Sequence, residues 1–224
     1  MKLIVIIATA GRPDLVDRLL SHLEAQRRPP DEAIVSAPDE THVGSFETQS
    51  FMTTRVYGKS GLTAQRNLAL ECALDRADVI TFFDDDFLPA SDYLERLAAA
   101  FEEHPDWSMV RGHAVHDGAN GPGLTFEEGL AALQMAEARR SRPLPEVICN
   151  QVGGYGCNMS VRAAHIGDLR FDERLVLYGW QEDIDFTSQL RSQGRLVSLS
   201  TLIGVHLGVK SGRVSGIRFG YSQI

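Results

Sequence analysis

Three consecutive aspartates, Asp84, Asp85 and Asp86, close an apolar run over residues 79–83. Carboxylates packed this closely disfavour one another's ionisation. A divalent cation removes that penalty, and carboxylate oxygen suits Mg²⁺ or Mn²⁺. Alternation along an extended chain puts Asp84 and Asp86 on one side and turns Asp85 away. The same triplet also reads as a solvated acidic turn before the next helix, because Asp is common in such turns.

The surrounding pattern supplies the frame for these acids. Residues 3–8 form a continuous β-branched run, as expected of a strand covered on both faces. Gly11, Arg12 and Pro13 break it, and Pro13 suits the first turn of a helix. Leu15, Val16, Leu19, Leu20 and Leu23 then recur at helical spacing. Residues 33–35 and 53–57 read as short strands, 62–77 as a helix, and 79–83 as a buried strand. Tyr93, Leu94, Leu97 and Phe101 mark another helix. Strands alternating with helices predict an α/β fold with a mostly parallel sheet flanked by helices. Ligands of such sheets bind outside the carboxyl ends of the strands, where both Thr9–Arg12 and Asp84–Asp86 fall. Further on, 109–115 reads as a strand, 126–140 as an amphipathic helix, 153–156 as a glycine-rich loop and 158–161 as a strand. Residues 181–191 read as a helix and 196–205 as extended. No stretch has the composition of a linker. This predicts one domain over 1–224, with a donor half (1–116) and an acceptor half (117–224).

Composition narrows the function. The net charge of −8 on 224 residues argues against general nucleic-acid binding. Cys72, Cys149 and Cys157 are far apart and form no CxxC pair, which points away from a zinc site or a disulfide framework. The apolar N-terminus is too short to span a bilayer and lacks the layout of a signal peptide. These features predict a cytoplasmic protein, with peripheral contact at the inner face of a membrane as a further expectation. The last four residues carry no polar tail, which fits a fragment of a longer protein.

Taken in order, several segments resemble glycosyltransferase family 2, with its GT-A fold. Thr9-Ala-Gly-Arg-Pro13 is similar to the family's turn after the first strand. Gly61-Leu-Thr-Ala-Gln-Arg66-Asn67 is similar to its segment over the nucleotide, and Asp84-Asp-Asp86 to its DxD motif. Gly156-Cys-Asn158-Met-Ser-Val-Arg162 resembles its acceptor-side strand. Gly179-Trp180-Gln-Glu182-Asp183 resembles its ED motif. One departure stands out. Many members end the second strand in two acids that help bind base and ribose. Here Ala37 and Pro38 occupy those places, and Asp39 follows as the substitute.

The resemblance implies an inverting transfer of sugar from a nucleotide-diphosphate donor, most often a UDP-sugar, to a hydroxyl of a glycan or lipid-linked acceptor. It places the protein in polysaccharide or glycoconjugate synthesis. The transition state of such a transfer is oxocarbenium-like. Asp86, with Asp84 on metal or ribose, is expected to hold a Mn²⁺ or Mg²⁺ that acts as a Lewis acid on the diphosphate. His206 resembles the late histidine that completes this site in some members, and neutral imidazole is a usable ligand. Thr9, Arg12, Asp39, Arg66 and Asp85 are the further donor-binding candidates. Asp183, beside Glu182, is the leading general base, and Asp185 its rival. The plainer reading of both acids is a helix N-terminus. Tyr155, Gly156 and Trp180 are expected to line the acceptor side, since either aromatic can stack on a sugar face. Lys210, Arg213 and Arg218 form a basic tail that suits a lid over the diphosphate. Two rivals remain. A sugar-phosphate nucleotidyltransferase needs a longer glycine-rich turn after the first strand than Ala10–Pro13 offers. A non-catalytic sugar-nucleotide or glycan-binding module would have no use for Asp84, Asp86 and Asp183 together. An aspartyl-nucleophile phosphatase needs acids where the chain has Thr9 and Gly11.

Overall fold

A computed structural model describes residues 1–140, 148–150, 152–175, 179 and 181–210. The chain runs through β1 (Leu3–Ala8), α1 (Pro13–Glu24), β2 (Glu32–Ala37), β3 (Met52–Tyr57), α2 (Leu62–Ala73), β4 (Val79–Asp84) and β5 (Phe87–Pro89). It continues through α3 (Tyr93–Glu103), β6 (Trp107–Asp117), α4 (Phe126–Arg139), β7 (Ile148–Asn150), β8 (Asn158–Arg162), α5 (Glu182–Gln189) and β9 (Arg195–His206). One sheet has the order β3-β2-β1-β4-β8-β6-β9-β5, with β7 also on β9. The pairs β1–β2, β1–β4 and β2–β3 are parallel. Beyond β4 the sheet is mixed: β8 lies antiparallel to β4 and β6, while β6 and β9 run parallel.

Burial on both faces explains why β1 and β4 are apolar without alternation. One face carries Val16, Leu19, Leu20 and Leu23 of α1 with Leu94, Leu97 and Phe101 of α3. The other carries Leu70 and Ala73 of α2 with Phe186 of α5. A third cluster seats Phe126 and Leu133 of α4 against Leu88, Val205 and Leu207. The fold is an α/β sheet flanked by helices, as the sequence predicted.

Several boundaries differ from the sequence expectation. Helix α2 stops at Ala73 rather than at 77, because residues 74–76 form a turn leading into β4. Helix α5 ends at Gln189 and passes into a 3-10 turn. Strands β6 and β9 are longer than expected, since each finds neighbours along its length. The short strands β5 and β7 have too few residues to show a period, and only pairing with β9 defines them.

Candidate active site

The site is built where β1, β4, β6 and β9 end. Parallel register sets Ala8 beside Asp84, so the turn after β1 lies next to the aspartates. After the triplet, β5 pairs antiparallel with the end of β9, matching Phe87 with His206. Strand β6 matches Asp117 with the same His206. Four side chains from distant parts of the chain thereby converge.

Asp84, Asp86 and His206 each direct one ligand atom into a group in which these atoms all lie within 4.8 Å of one another. His206 Nε2 is 3.4 Å from Asp86 Oδ1 and 4.0 Å from Asp84 Oδ2. Two carboxylates and an imidazole form a donor set that fits Mn²⁺ or Mg²⁺. Behind the ring, His206 Nδ1 lies 2.9 Å from Asp117 Oδ1, and the Tyr155 hydroxyl donates to Asp117 Oδ2. Burial lowers the affinity of His206 for a proton, but its bonds to Asp117 and Asp86 outweigh this and push it up to about 10. Burial likewise opposes ionisation of Asp86. His206, Arg12 and the Val209 N–H, 2.8 Å away, still hold it below the usual carboxylate range. Asp117 is likewise held well below the usual carboxylate range, first by its hydrogen bond to His206. Burial, and then the nearby Cys157 and Asp117, raise the Tyr155 hydroxyl, which keeps it a donor.

Asp85 does point away from this cluster. Its carboxylate accepts the Thr9 hydroxyl at 2.6 Å and pairs with Arg12 Nη1 at 2.9 Å. Burial pushes Asp85 up to about 7 against the pull of Arg12. Thr9, Arg12 and Asp85 thus bolt the turn after β1 to the turn after β4. Gln65 adds a second bolt, donating to the Thr9 and Ser36 carbonyls at 2.7 and 2.8 Å. This explains a first turn of α2 that is buried and polar, since buried polar groups need partners.

Arg66 is almost fully enclosed. It donates to Glu182 Oε1 at 2.7 Å, to Asp84 Oδ1 at 3.1 Å and to the Gly156 carbonyl at 2.8 Å. The Gly156 N–H in turn donates to Asp183 Oδ2 at 2.8 Å. A continuous chain of contacts therefore runs from the metal-type cluster to the ED acids. Gly156 sits close under this pair: a Cβ there would stand 3.0 Å from Glu182 Oε1 and 3.1 Å from Arg66 Nη2, so the two side chains would have to shift to admit it. Burial lifts Glu182 to about 7, although Arg66 works the other way. Asp183 is half-buried, and its Oδ1 accepts the Ile184 N–H at 2.8 Å. The entry to α5 is tight. Gln181 has φ 66, the one non-glycine residue with positive φ among those described. Such backbone costs an L-residue about 1–2 kcal/mol, and strain of this kind collects at functional sites.

Not every expected residue joins this centre. Asp39 is exposed, caps a 3-10 turn through Thr41 N at 2.9 Å and faces His42. Asp185 is exposed on α5. Lys210 donates to the Gly118 and Ala119 carbonyls at 3.2 and 2.6 Å. Trp180, Arg213 and Arg218 lie outside the described residues. Asp117 was not anticipated. It closes a strand whose end reads as an ordinary polar alternation, and its partner is 89 residues away.

The model of glycosyl transferase family 2 matches residues 4–155, which include the turn after β1, Arg66 and all three aspartates. The chain belongs to glycosyl transferase family 2. No curated protein matches the sequence. Among solved structures, this family 2 domain is similar to S. aureus TarS 1-349, with 19% identity and a TM-score of 0.61 over 91% of this chain and 59% of that one. The same TarS fragment in complex with UDP-GlcNAc matches at 18% identity and TM-score 0.60, over 99% of this chain and 64% of that one. The mannosyltransferase PcManGT from Pyrobaculum calidifontis, in complex with GDP-Man and Mn2+, matches at 16% identity and TM-score 0.60, over 94% and 58%. The family 2 domain thus spans about three-fifths of the length of these structures. At such identities the likeness speaks to the fold.

Proposed function

We propose that the protein is a metal-dependent, inverting glycosyltransferase that moves a sugar from a nucleoside diphosphate to a hydroxyl of a glycan or lipid-linked acceptor. One observation carries this reading: Asp84, Asp86 and His206 converge within 4.8 Å, and Arg66 with Gly156 links them to Glu182 and Asp183. The two acidic regions, far apart in the sequence, are joined into one centre.

Asp84, Asp86 and His206 would hold Mn²⁺ or Mg²⁺, which supplies Lewis-acid stabilisation of the departing diphosphate. Asp183 takes the proton of the acceptor hydroxyl. The acceptor oxygen then bonds to the anomeric carbon as the bond from that carbon to the diphosphate breaks. Attack opposite the leaving group inverts the anomeric centre. The two backbone N–H bonds to Asp183 fix its orientation, which a base needs to meet its proton at hydrogen-bond distance. Glu182 acts beside it by holding Arg66. The donor is assigned to residues 1–116, with Thr9 and Arg12 at its phosphate end and Asp39 toward base and ribose. The acceptor is assigned to 117–224, with Tyr155, Gly156 and Trp180. A UDP-sugar is the first choice of donor; the complexes of the similar structures, UDP-GlcNAc with TarS and GDP-Man with PcManGT, support a sugar nucleotide in general. The expected setting is glycoconjugate assembly in the cytoplasm, with peripheral membrane contact. Among the described residues no helix is long and apolar enough to cross a membrane.

The test is a screen of sugar nucleotides with Mn²⁺, reading thermal shift first and donor hydrolysis or transfer second. Chelation should abolish turnover and added Mn²⁺ should restore it. Asp183→Asn should keep donor binding and lose about 10²–10⁴-fold in transfer, the range of a positioned general base. Unchanged transfer in that variant would remove Asp183 from the mechanism.

A further inference from the structure

The ring of His206 is gripped from the side opposite the aspartates, and that grip has a consequence for metal binding. Nε2 faces Asp86 and Asp84 at 3.4 and 4.0 Å. Nδ1 faces Asp117 Oδ1 at 2.9 Å, and the Tyr155 oxygen at 3.3 Å. An ionised carboxylate can only accept hydrogen bonds. The Tyr155 hydroxyl already spends its proton on Asp117 Oδ2. When a cation displaces the Nε2 proton, the remaining ring hydrogen therefore belongs on Nδ1, and the freed Nε2 lone pair is the one that faces the two aspartates. A ligating histidine whose far N–H is held by a carboxylate is a recurrent arrangement that orients the ring and raises its basicity.

We infer that Asp117 is a positioning residue of the metal site, fixing the orientation and tautomer of His206, and that Tyr155 ties this contact to the loop before β8. The inference rests on the metal reading proposed above. Three features of the fold support it. Asp117 and His206 are register partners on β6 and β9, so their backbone separation is set by the sheet. Asp117 Oδ1 also accepts the Ala119 N–H at 2.9 Å, which fixes the carboxylate independently of His206. Tyr155 packs against the His206 ring in a T-shaped contact, with centroids 6.0 Å apart, and so adds a second neighbour to the ring. Tyr155 also follows Gly154, whose N–H is held by Thr187 of α5. Metal ligand and base-bearing helix thus share one loop as their common support.

The test is Mn²⁺ binding to the whole chain, followed by calorimetry and by the electron paramagnetic resonance of free Mn²⁺, without any donor. Loss of a carboxylate of this kind costs about 10–100-fold in metal affinity, and Asp117→Ala should fall in that range. Asp117→Asn keeps an acceptor for Nδ1–H and for the Ala119 N–H, and should recover most of the affinity. A merely structural role would instead lower the metal-free melting temperature and leave Mn²⁺ affinity intact, which overturns the inference. If Asp117→Ala does not fold, the wild type still decides. With Mg²⁺ bound and ¹⁵N-labelled histidine, the His206 signals should report a protonated Nδ1, and a protonated Nε2 overturns the inference. Wild-type protein that binds no Mn²⁺ overturns the metal reading as well; wild-type binding that Asp117→Ala matches overturns only the role of Asp117.

Discussion

Replacing Arg66 by Met tests the strut that joins the two acidic regions. Methionine keeps an unbranched side chain near Phe82 and Phe171, whose ring centroids lie 5.7 and 5.4 Å from the guanidinium carbon. It removes the hydrogen bonds to Glu182, Asp84 and the Gly156 carbonyl. Asp84 is a quarter exposed, so water takes over much of its solvation and its share of the loss is small. Glu182 is 5% exposed and has no such recourse. Breaking a buried pair by deleting one partner costs about 3–5 kcal/mol. At about 2–4 °C per kcal/mol for a chain of this size, the melting temperature should fall by roughly 6–20 °C. Chemical denaturation followed by circular dichroism measures the loss, and it should be run at about pH 8, where Glu182 is ionised in the native protein. The cost is capped by protonation of the stranded carboxyl, so it should shrink at about pH 6. The double variant Arg66→Met with Glu182→Gln removes the stranded charge and should regain much of the stability, giving a positive coupling in the cycle. A loss below about 1 kcal/mol at the higher pH, or a double variant no more stable than Arg66→Met, refutes the assignment of Arg66 as an internal strut.

Two further outcomes follow from the same region. Burial raises Glu182 from its ordinary 4.5 to about 7, so between those values the native state binds the proton that the unfolded chain has released. The contribution of Glu182 is therefore complete below 4.5 and is lost as pH rises through 7; stability measured against Glu182→Gln should fall across that window, and a flat difference would contradict the burial argument. Gly156→Ala places a Cβ 3.0–3.2 Å from the Glu182 and Arg66 side chains, which are pinned by each other. Overpacking of this kind costs about 1–3 kcal/mol, read as a lower denaturation midpoint, and an unchanged midpoint would mean that the pair yields freely.

Local pattern in the sequence settled the frame. The unbroken apolar runs of β1 and β4, Pro13 at the start of α1 and the helical spacing of Leu19, Leu20 and Leu23 are covalent neighbours obeying short-range rules. The same rules placed Asp84 and Asp86 at a strand end, and alternation alone turned Asp85 from them. The ordered motifs, read with the family resemblance, placed Arg66, Glu182, Asp183 and His206 in one expected centre. What they contact was decided elsewhere. Arg66 reads equally well as a hand on the diphosphate, and only the docking of α2 on β1 and β2, which carries its side chain to Asp84 and Glu182, makes it a buried strut. Asp117 meets His206 because β6 and β9 run side by side in register, a pairing between segments nearly 90 residues apart. Strand β5 exists because β9 offers it an edge. Periodicity records which face of a segment is buried; it carries no record of which segment covers it. That choice belongs to the packing of the whole chain.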